Sequence, residues 1–295
     1  MKKLLGKHVS QSIYEQLQPS LLMLKQNNII PSLMVVIVGE RSDSLLYVKM
    51  KKKKCAELGV ECNINFLSET VTTNEICDFI KKYNENDSIY GILVQLPLPE
   101  HIDTNMVLNC VDPKKDVDGF HTLNMGNLAL NQFENERFSP CTAIACMEFF
   151  DYYDIDLKGK DVVIIGASRV IGLPVSLLCL YKNATVTITH IHTKNLNEKT
   201  KKADIIISCC GVKHLVNSDY IKEDVILLDV GITKENGKIY GDINQDSVKE
   251  LAQALTPVPG GVGPVTIAVL IKQVVRATLN QSNVIKLKNN NYLNN

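Results

Sequence analysis

The chain has 295 residues, 45% of them apolar, which is enough to fill the cores of two domains of ordinary size. Its 32 Lys and Arg balance its 32 Asp and Glu, so no net field would recruit nucleic acid or an anionic membrane, and any partner must be recognised locally. The apolar stretch after the basic start is too short for a signal peptide, and no segment approaches the ~20 apolar residues that span a bilayer. The nine cysteines include no C-x-x-C pair and read as reduced, mostly structural thiols, so the expected setting is the cytoplasm, with no metal.

Short β-branched runs alternate with helical patterns, at residues 34–38, 64–67, 91–94, 162–165, 184–189, 205–208 and 225–230. This is the rhythm of βαβ units. Runs such as Met34-Val35-Val36-Ile37-Val38 are apolar at every position, as strands covered by helices on both faces must be. The predicted fold class is therefore α/β, with two domains, each a mostly parallel sheet flanked by helices.

Residues 44–59 read as a helix closed by a glycine C-cap, and carry a run of lysines. Most such runs are solvated faces. Tyr47, Lys51, Cys55 and Leu58, however, share one helical stripe that is otherwise apolar, so Lys51 is the lysine on the buried side. The residues alone leave two readings of it: a stem that snorkels its amine to water, or an amine whose pKa burial lowers until it exchanges protons near neutral pH.

After the strand at 91–94 comes Gln95-Leu96-Pro97-Leu98-Pro99, a polar amide at the C-terminal end of a strand, where open α/β sheets bind ligands. Lys115-Asp116-Val117-Asp118-Gly119 places two carboxylates in a glycine turn; an Asx turn would explain either without any function, and no further ligand stands at a metal spacing. Between about 127 and 140 the sequence turns polar and aperiodic, which predicts a domain boundary nearby.

The strand at 162–165 runs into Gly166-Ala167-Ser168-Arg169-Val170-Ile171-Gly172-Leu173-Pro174 and then a helical pattern. A tight turn at Gly166, a helix N-terminus offering free N–H groups and a residue without bulk at Gly172 suit a nucleotide phosphate, although the spacing is G-x-S-x-x-x-G. This makes the second domain Rossmann-like and dinucleotide-binding. Residues 256–266, with Pro257, Pro259, Gly260, Gly261, Gly263 and Pro264, form a stiff loop that permits close backbone approach to a ligand before a last helix at about 264–280. The expected division is 1–140 for the first domain, onto which the last helix packs back, 141–263 for the second, and a frayed tail over 281–295.

Taken in order, Tyr47-x-x-x-Lys51, Val94-Gln95-Leu96-Pro97-Leu98-Pro99, Lys115-Asp116-Val117-Asp118-Gly119, Pro140-Cys141-Thr142, Gly166-x-Ser168-x-x-x-Gly172-x-Pro174, Asp229-Val230-Gly231-Ile232 and the 257–266 loop resemble the methylenetetrahydrofolate dehydrogenase/methenyltetrahydrofolate cyclohydrolase family over nearly the whole chain. The resemblance implies oxidation of methylenetetrahydrofolate by hydride transfer to NADP, or NAD, and hydrolysis of the methenyl product to formyltetrahydrofolate, in a cytoplasmic homodimer. It assigns proton handling to Lys51, orientation of Lys51 to Gln95, positioning of the folate to Tyr47 and acceptance of pterin hydrogen bonds to Asp118. It adds Val94, Leu96, Pro259, Gly260, Gly261, Gly263 and Pro264 to the folate site, and Gly166, Ala167, Ser168, Arg169, Gly172, Ile191, Ile232 and Thr266 to the dinucleotide site.

One position departs from that pattern. At Ile191 the family commonly has a polar or basic residue facing the 2′-phosphate of NADP, a contact isoleucine cannot make; Arg169, His192 and Lys194 are the cations left for it. The rival readings are a dehydrogenase without hydrolase activity, and a catalytically inactive nucleotide-binding regulator. Retention of Lys51, Gln95 and Asp118 together argues against both.

Overall fold

The computed structural model describes residues 1–39, 42–132 and 138–282, with the backbone alone for 42–47. The chain runs through β1 (Lys2–Lys3), α1 (Gly6–Gln26), β2 (Ser32–Val38), α2 (Ser42–Glu57), β3 (Glu61–Leu67), α3 (Thr73–Asn84), β4 (Gly91–Val94), α4 (Thr104–Cys110) and α5 (Thr122–Ala129). There follow α6 (Cys141–Tyr152), β5 (Asp161–Ile165), α7 (Gly172–Tyr181), β6 (Thr185–Thr189), α8 (Leu196–Thr200), β7 (Ile205–Ser208), β8 (Ile226–Asp229), β9 (Thr233–Glu235), β10 (Lys238–Tyr240), α9 (Gln245–Val248), β11 (Ala254–Leu255) and α10 (Val262–Gln281). Two units result: Ile13–Ser139 with the segment from Leu270, and Met1–Ser12 with Pro140–Val269.

The first unit is built on a parallel sheet of order β3-β2-β4. All seven residues of the central β2 are buried, as its unbroken apolar run requires of a strand covered on both faces. Met34, Val36 and Val38 pack with Ile92 and Val94 of β4 and with Ile76 and Ile80 of α3. The start of α3 is fixed by a capping box, in which Thr72 Oγ1 accepts from Glu75 N and Glu75 Oε2 accepts from Thr72 N.

The second unit holds a six-stranded sheet of order β1-β11-β8-β7-β5-β6, parallel at every pairing. Both large sheets are thus parallel, and the α/β class is as the sequence indicates. The antiparallel β9–β10 hairpin stands apart from them.

Three expectations change in detail. The expected division puts the chain from residue 1 in the first domain, yet Lys2 and Lys3 pair with Ala254 and Leu255 in the six-stranded sheet, because the short β11 leaves an edge that β1 fills. The last helix starts in one unit and continues into the other, dividing at Val269 and Leu270. That helix also corrects the statement on apolar length: α10 is 20 residues long and holds an 18-residue window of mean hydropathy 1.4, enough by length and composition to cross a membrane, and 72% of that window is buried, as in a core helix. Residues 133–137 of the expected boundary and 283–295 of the expected tail lie outside the described residues.

Candidate active site

On α2 the side chains of Val48, Lys51 and Cys55 are buried, one turn apart, whereas Lys49, Lys52 and Lys53 face solvent. Lys51 is only 6% exposed. The helical stripe therefore singles out Lys51 among its neighbours, for the reason periodicity gives. Lys54 is half-buried rather than solvated: its Nζ pairs with Glu57 at 2.5 Å and lies 4.9 Å from the centre of the Tyr14 ring. The side chain of Tyr47, the other residue expected on this stripe, lies outside the described residues. A hydrogen bond with Cys62, and burial after it, push the Cys55 thiol well up, so this cysteine is an apolar neighbour of Lys51 rather than a thiolate.

The partner of Lys51 comes from the end of β4. Lys51 Nζ donates to Gln95 Oε1 at 3.1 Å, and Gln95 Nε2 donates to Leu96 O at 2.9 Å, which fixes the way the amide faces. Gln95 N donates to Val36 O, so the residue is still registered on the central strand when its side chain leaves the sheet. Val94 is buried beneath it and Leu96 half-buried beside it; Leu96-Pro97 is cis. Because β3 and β4 lie on opposite sides of β2, the strand order reverses here, and this is where ligand crevices form in open α/β sheets.

The two carboxylates of the 115–119 turn have different surroundings. Asp116 is 4% exposed; its Oδ1 accepts from Gly119 N at 3.1 Å, and its Oδ2 from His121 N and Asn124 Nδ2, both at 2.8 Å. The Asx reading thus applies to Asp116. Asp118 is only half-buried. Asn124 and Gln273, which brace this turn, were not among the expected site residues; their one sequence signal is an amide on an otherwise apolar helical face.

In the second unit, β5 delivers the chain to Gly166, whose φ of +117° suits glycine alone. Gly166 N donates to Thr189 O, Ser168 Oγ accepts from Ile171 N at 3.2 Å, and Leu173 N donates to Ser168 O, so the turn winds directly into α7. A Cβ on Gly172 would overlap the carbonyl of Gly166, which is why the helix must begin with a residue lacking one. Ala167, Ser168 and Arg169 are exposed around this turn. β6 and β7 lie on opposite sides of β5, so the loop stands at the point where strand order reverses in this sheet too. Turn, helix start and switch point together fit a dinucleotide pyrophosphate.

Ile191, just past β6, is 93% exposed, and Arg169, His192 and Lys194 of the same unit are exposed as well. Ile232 is exposed after β8, and Thr266 is half-buried on the first turn of α10, where its Oγ1 donates to Val262 O. In the loop before α10, Val258-Pro259 is cis, Pro259 and Gly260 are exposed, and Gly263 and Pro264 are half-buried. Gly261 is buried and backs onto Gly6 and Pro257, so the close approach its missing side chain allows is to its own chain.

Beneath the loops after β7 and β8 lie two buried carboxylates. Asp242 accepts from Ser208 Oγ, Cys210 N and Val212 N at 2.8–2.9 Å, and Asp229 accepts from Asp242 N and Ile243 N at 2.9 and 3.0 Å. Burial, with the Asp242 charge added, pushes the Asp229 carboxyl up to about 7.

The chain matches the tetrahydrofolate dehydrogenase/cyclohydrolase catalytic domain over residues 4–118, and the NAD(P)-binding domain of the same family over residues 140–282. It is 45% identical over 282 residues to a bifunctional protein FolD of Nautilia profundicola, covering 95% of this chain and 98% of that one. A crystal structure of the FolD methylenetetrahydrofolate dehydrogenase/cyclohydrolase of Campylobacter jejuni superposes with a TM-score of 0.91 at 44% identity, covering 95% of this chain and 99% of the other. The Trypanosoma brucei enzyme, solved with NADP and an inhibitor, superposes with a TM-score of 0.88 at 33% identity, covering 94% and 96%. Two matched domains and these identities over nearly the full length leave one assignment: the chain belongs to the tetrahydrofolate dehydrogenase/cyclohydrolase family.

Proposed function

We propose that this protein oxidises 5,10-methylenetetrahydrofolate with NADP and hydrolyses the resulting 5,10-methenyltetrahydrofolate to 10-formyltetrahydrofolate, the first unit binding the folate and the second the dinucleotide. The observation that carries the reading is the buried Lys51, hydrogen-bonded to Gln95 at the crevice end of β4.

When bound, the dinucleotide supplies the hydride acceptor. The methylene carbon, activated by its two nitrogens, loses a hydride and becomes the methenyl cation, a step that asks the protein mainly for distance and angle. Water then adds to that carbon, one carbon–nitrogen bond breaks, and one proton is released overall. Lys51 moves the proton at Nζ, Gln95 Oε1 holds that nitrogen in place, and Tyr47 positions the ring system. Asp118 accepts hydrogen bonds from the pterin. Gly166, Ala167, Ser168, Arg169 and Gly172 would hold the pyrophosphate, and Ile232 and Thr266 would complete the dinucleotide site. Val94 and Leu96 complete the folate walls of the first unit. No step in this scheme calls for a metal.

Nine cysteines that all stand as thiols suit a reducing cytoplasm, and the edge strand β3, with Phe66 exposed, supports assembly as a homodimer. The test is spectroscopic. Adding methylenetetrahydrofolate and NADP should produce NADPH, and methenyltetrahydrofolate alone should disappear without any cofactor. NADPH formation without hydrolysis would leave a monofunctional dehydrogenase; neither activity would leave a regulator.

A further inference from the structure

We propose that Asp116 is a positioning residue for this reaction: its buried carboxylate fixes the turn that presents Asp118 to the folate. The proposal rests on the reading of Asp118 as the pterin's acceptor, and it explains how a half-exposed turn residue is held ready for that task.

Three donors converge on Asp116. Gly119 N donates both to its Oδ1 and to its main-chain carbonyl, each at 3.1 Å, which closes a ring around Val117 and Asp118. His121 N and Asn124 Nδ2 take the other oxygen and tie the ring to the start of α5. Asn124 Nδ2 also donates to Pro113 O, on the near side of the turn. The residues flanking Asp116 are anchored as well. Lys115, buried, donates through Nζ to Tyr83 O and Asn86 O at the end of α3, and Gln273 Nε2 on α10 donates to Val117 O at 2.7 Å. The backbone at Asp116 bridges Ile92 of β4, two strand residues before the end that leads into Gln95. With 115, 116, 117 and 119 all held, the main chain at Asp118 is fixed from both sides, which lowers the ordering cost of binding there.

A neutral amide could cap an Asx turn just as well, so the carboxylate needs a reason. Burying a charge is unfavourable unless several donors meet it. Here three donors converge on two oxygens, and an asparagine would turn an N–H toward one of them. Asp116→Asn therefore breaks the brace while leaving the volume and the charge of Asp118 unchanged.

The experiment is a double-mutant cycle read by calorimetric titration of tetrahydrofolate and, separately, of NADP, using Asp116→Asn, Asp118→Ala and the double variant. Loss of the brace should weaken tetrahydrofolate about tenfold, on the scale of one charge-assisted hydrogen bond, and should leave NADP binding unchanged. In the double variant the loss should be no greater than in Asp118→Ala alone, because residues that act through one another are not additive. If Asp116→Asn does not fold, Asn124→Ala, which removes a single donor, should give about a threefold loss that likewise vanishes in the Asp118→Ala background. Additive losses, or wild-type affinity in the brace variants while Asp118→Ala binds weakly, would overturn the positioning role. Unchanged affinity in Asp118→Ala would instead overturn the reading of Asp118, and this inference with it.

Discussion

Lys51 Nζ on α2 donates at 3.1 Å to Oε1 of Gln95, 44 residues further on at the end of β4. The amide cannot flip without cost, because its Nε2 is held by Leu96 O. A flexible four-carbon stem thus ends in a fixed nitrogen. Placement of this kind lets a side chain pass a proton in a defined direction rather than merely carry charge.

Lys51→Met is expected to abolish methenyltetrahydrofolate hydrolysis while the protein stays folded, since methionine keeps the buried stem and removes the amine. Lys53→Met, on the exposed face of the same helix, is expected to keep nearly full activity. Stopped-flow decay of methenyl absorbance for the two variants makes the comparison. Equal effects would show that burial on the stripe does not select the reactive lysine.

Gly172→Ala is expected to impair the second unit specifically. The added methyl would overlap the Gly166 carbonyl, and neither group is the end of a flexible side chain that could swing away. Overpacking of this kind costs about 1–3 kcal/mol and displaces the turn as it enters α7. NADP titration should show weaker binding and thermal melting a lower midpoint, with hydrolysis of methenyltetrahydrofolate less affected. Wild-type NADP affinity in this variant would place the pyrophosphate elsewhere.

Strands and the buried stripe of Lys51 were legible in the sequence because each follows from a short local pattern: an unbroken apolar run for β2, and a spacing of four for Lys51 and Cys55. The brace around Asp118 was not. Gln273 reaches Val117 across 156 residues, and no local pattern signals a contact of that range. Asp116 and Asp118 look alike in sequence, two carboxylates in one turn, and only the donors supplied by Gly119, His121 and Asn124 separate the buried one from the half-exposed one. β1 was missed for another reason: two lysines carry no strand pattern, and they pair with β11 only in the folded chain. Nor could Gly261 be interpreted until Gly6 was seen against it.

Asp229 makes stability depend on pH with a definite sign. Its carboxyl is raised from 3.8 to about 7 in the folded state, chiefly by burial, so between those values the folded protein binds more protons than the unfolded chain. Stability contributed by this group is complete below about pH 4 and is lost as pH rises through about 7, by on the order of 4 kcal/mol at most. Asp229→Asn, which cannot accept from both Asp242 N and Ile243 N, should be the less stable protein in acid, with the gap to wild type narrowing toward alkaline pH. Urea midpoints of both proteins at about pH 5 and about pH 8 measure it, and a gap that stays constant would mean that Asp229 does not titrate in this range.

Cofactor choice is where this chain departs from its family. Ile191 stands 93% exposed just past β6, where a polar partner for the 2′-phosphate of NADP is usual, so any preference for NADP over NAD has to come from Arg169, His192 or Lys194. All three side chains are exposed; the His192 backbone N–H donates to His190 Nδ1 at 3.2 Å, and its ring meets the His190 ring edge-on with centroids 5.9 Å apart. An exposed ion pair contributes about 0.2–1 kcal/mol, and each 1.4 kcal/mol is tenfold, so one such contact yields only a few-fold preference. Added salt should shrink it further, because solvent-exposed charges are screened. We therefore expect kcat/KM to favour NADP modestly at low ionic strength and less at high. Arg169→Ala or Lys194→Ala should bring the two cofactors closer together, whereas Ile191→Arg should widen the gap. A strong NADP preference that is insensitive to salt and survives both alanine substitutions would mean that the 2′-phosphate is held by a buried group on another loop of the second unit.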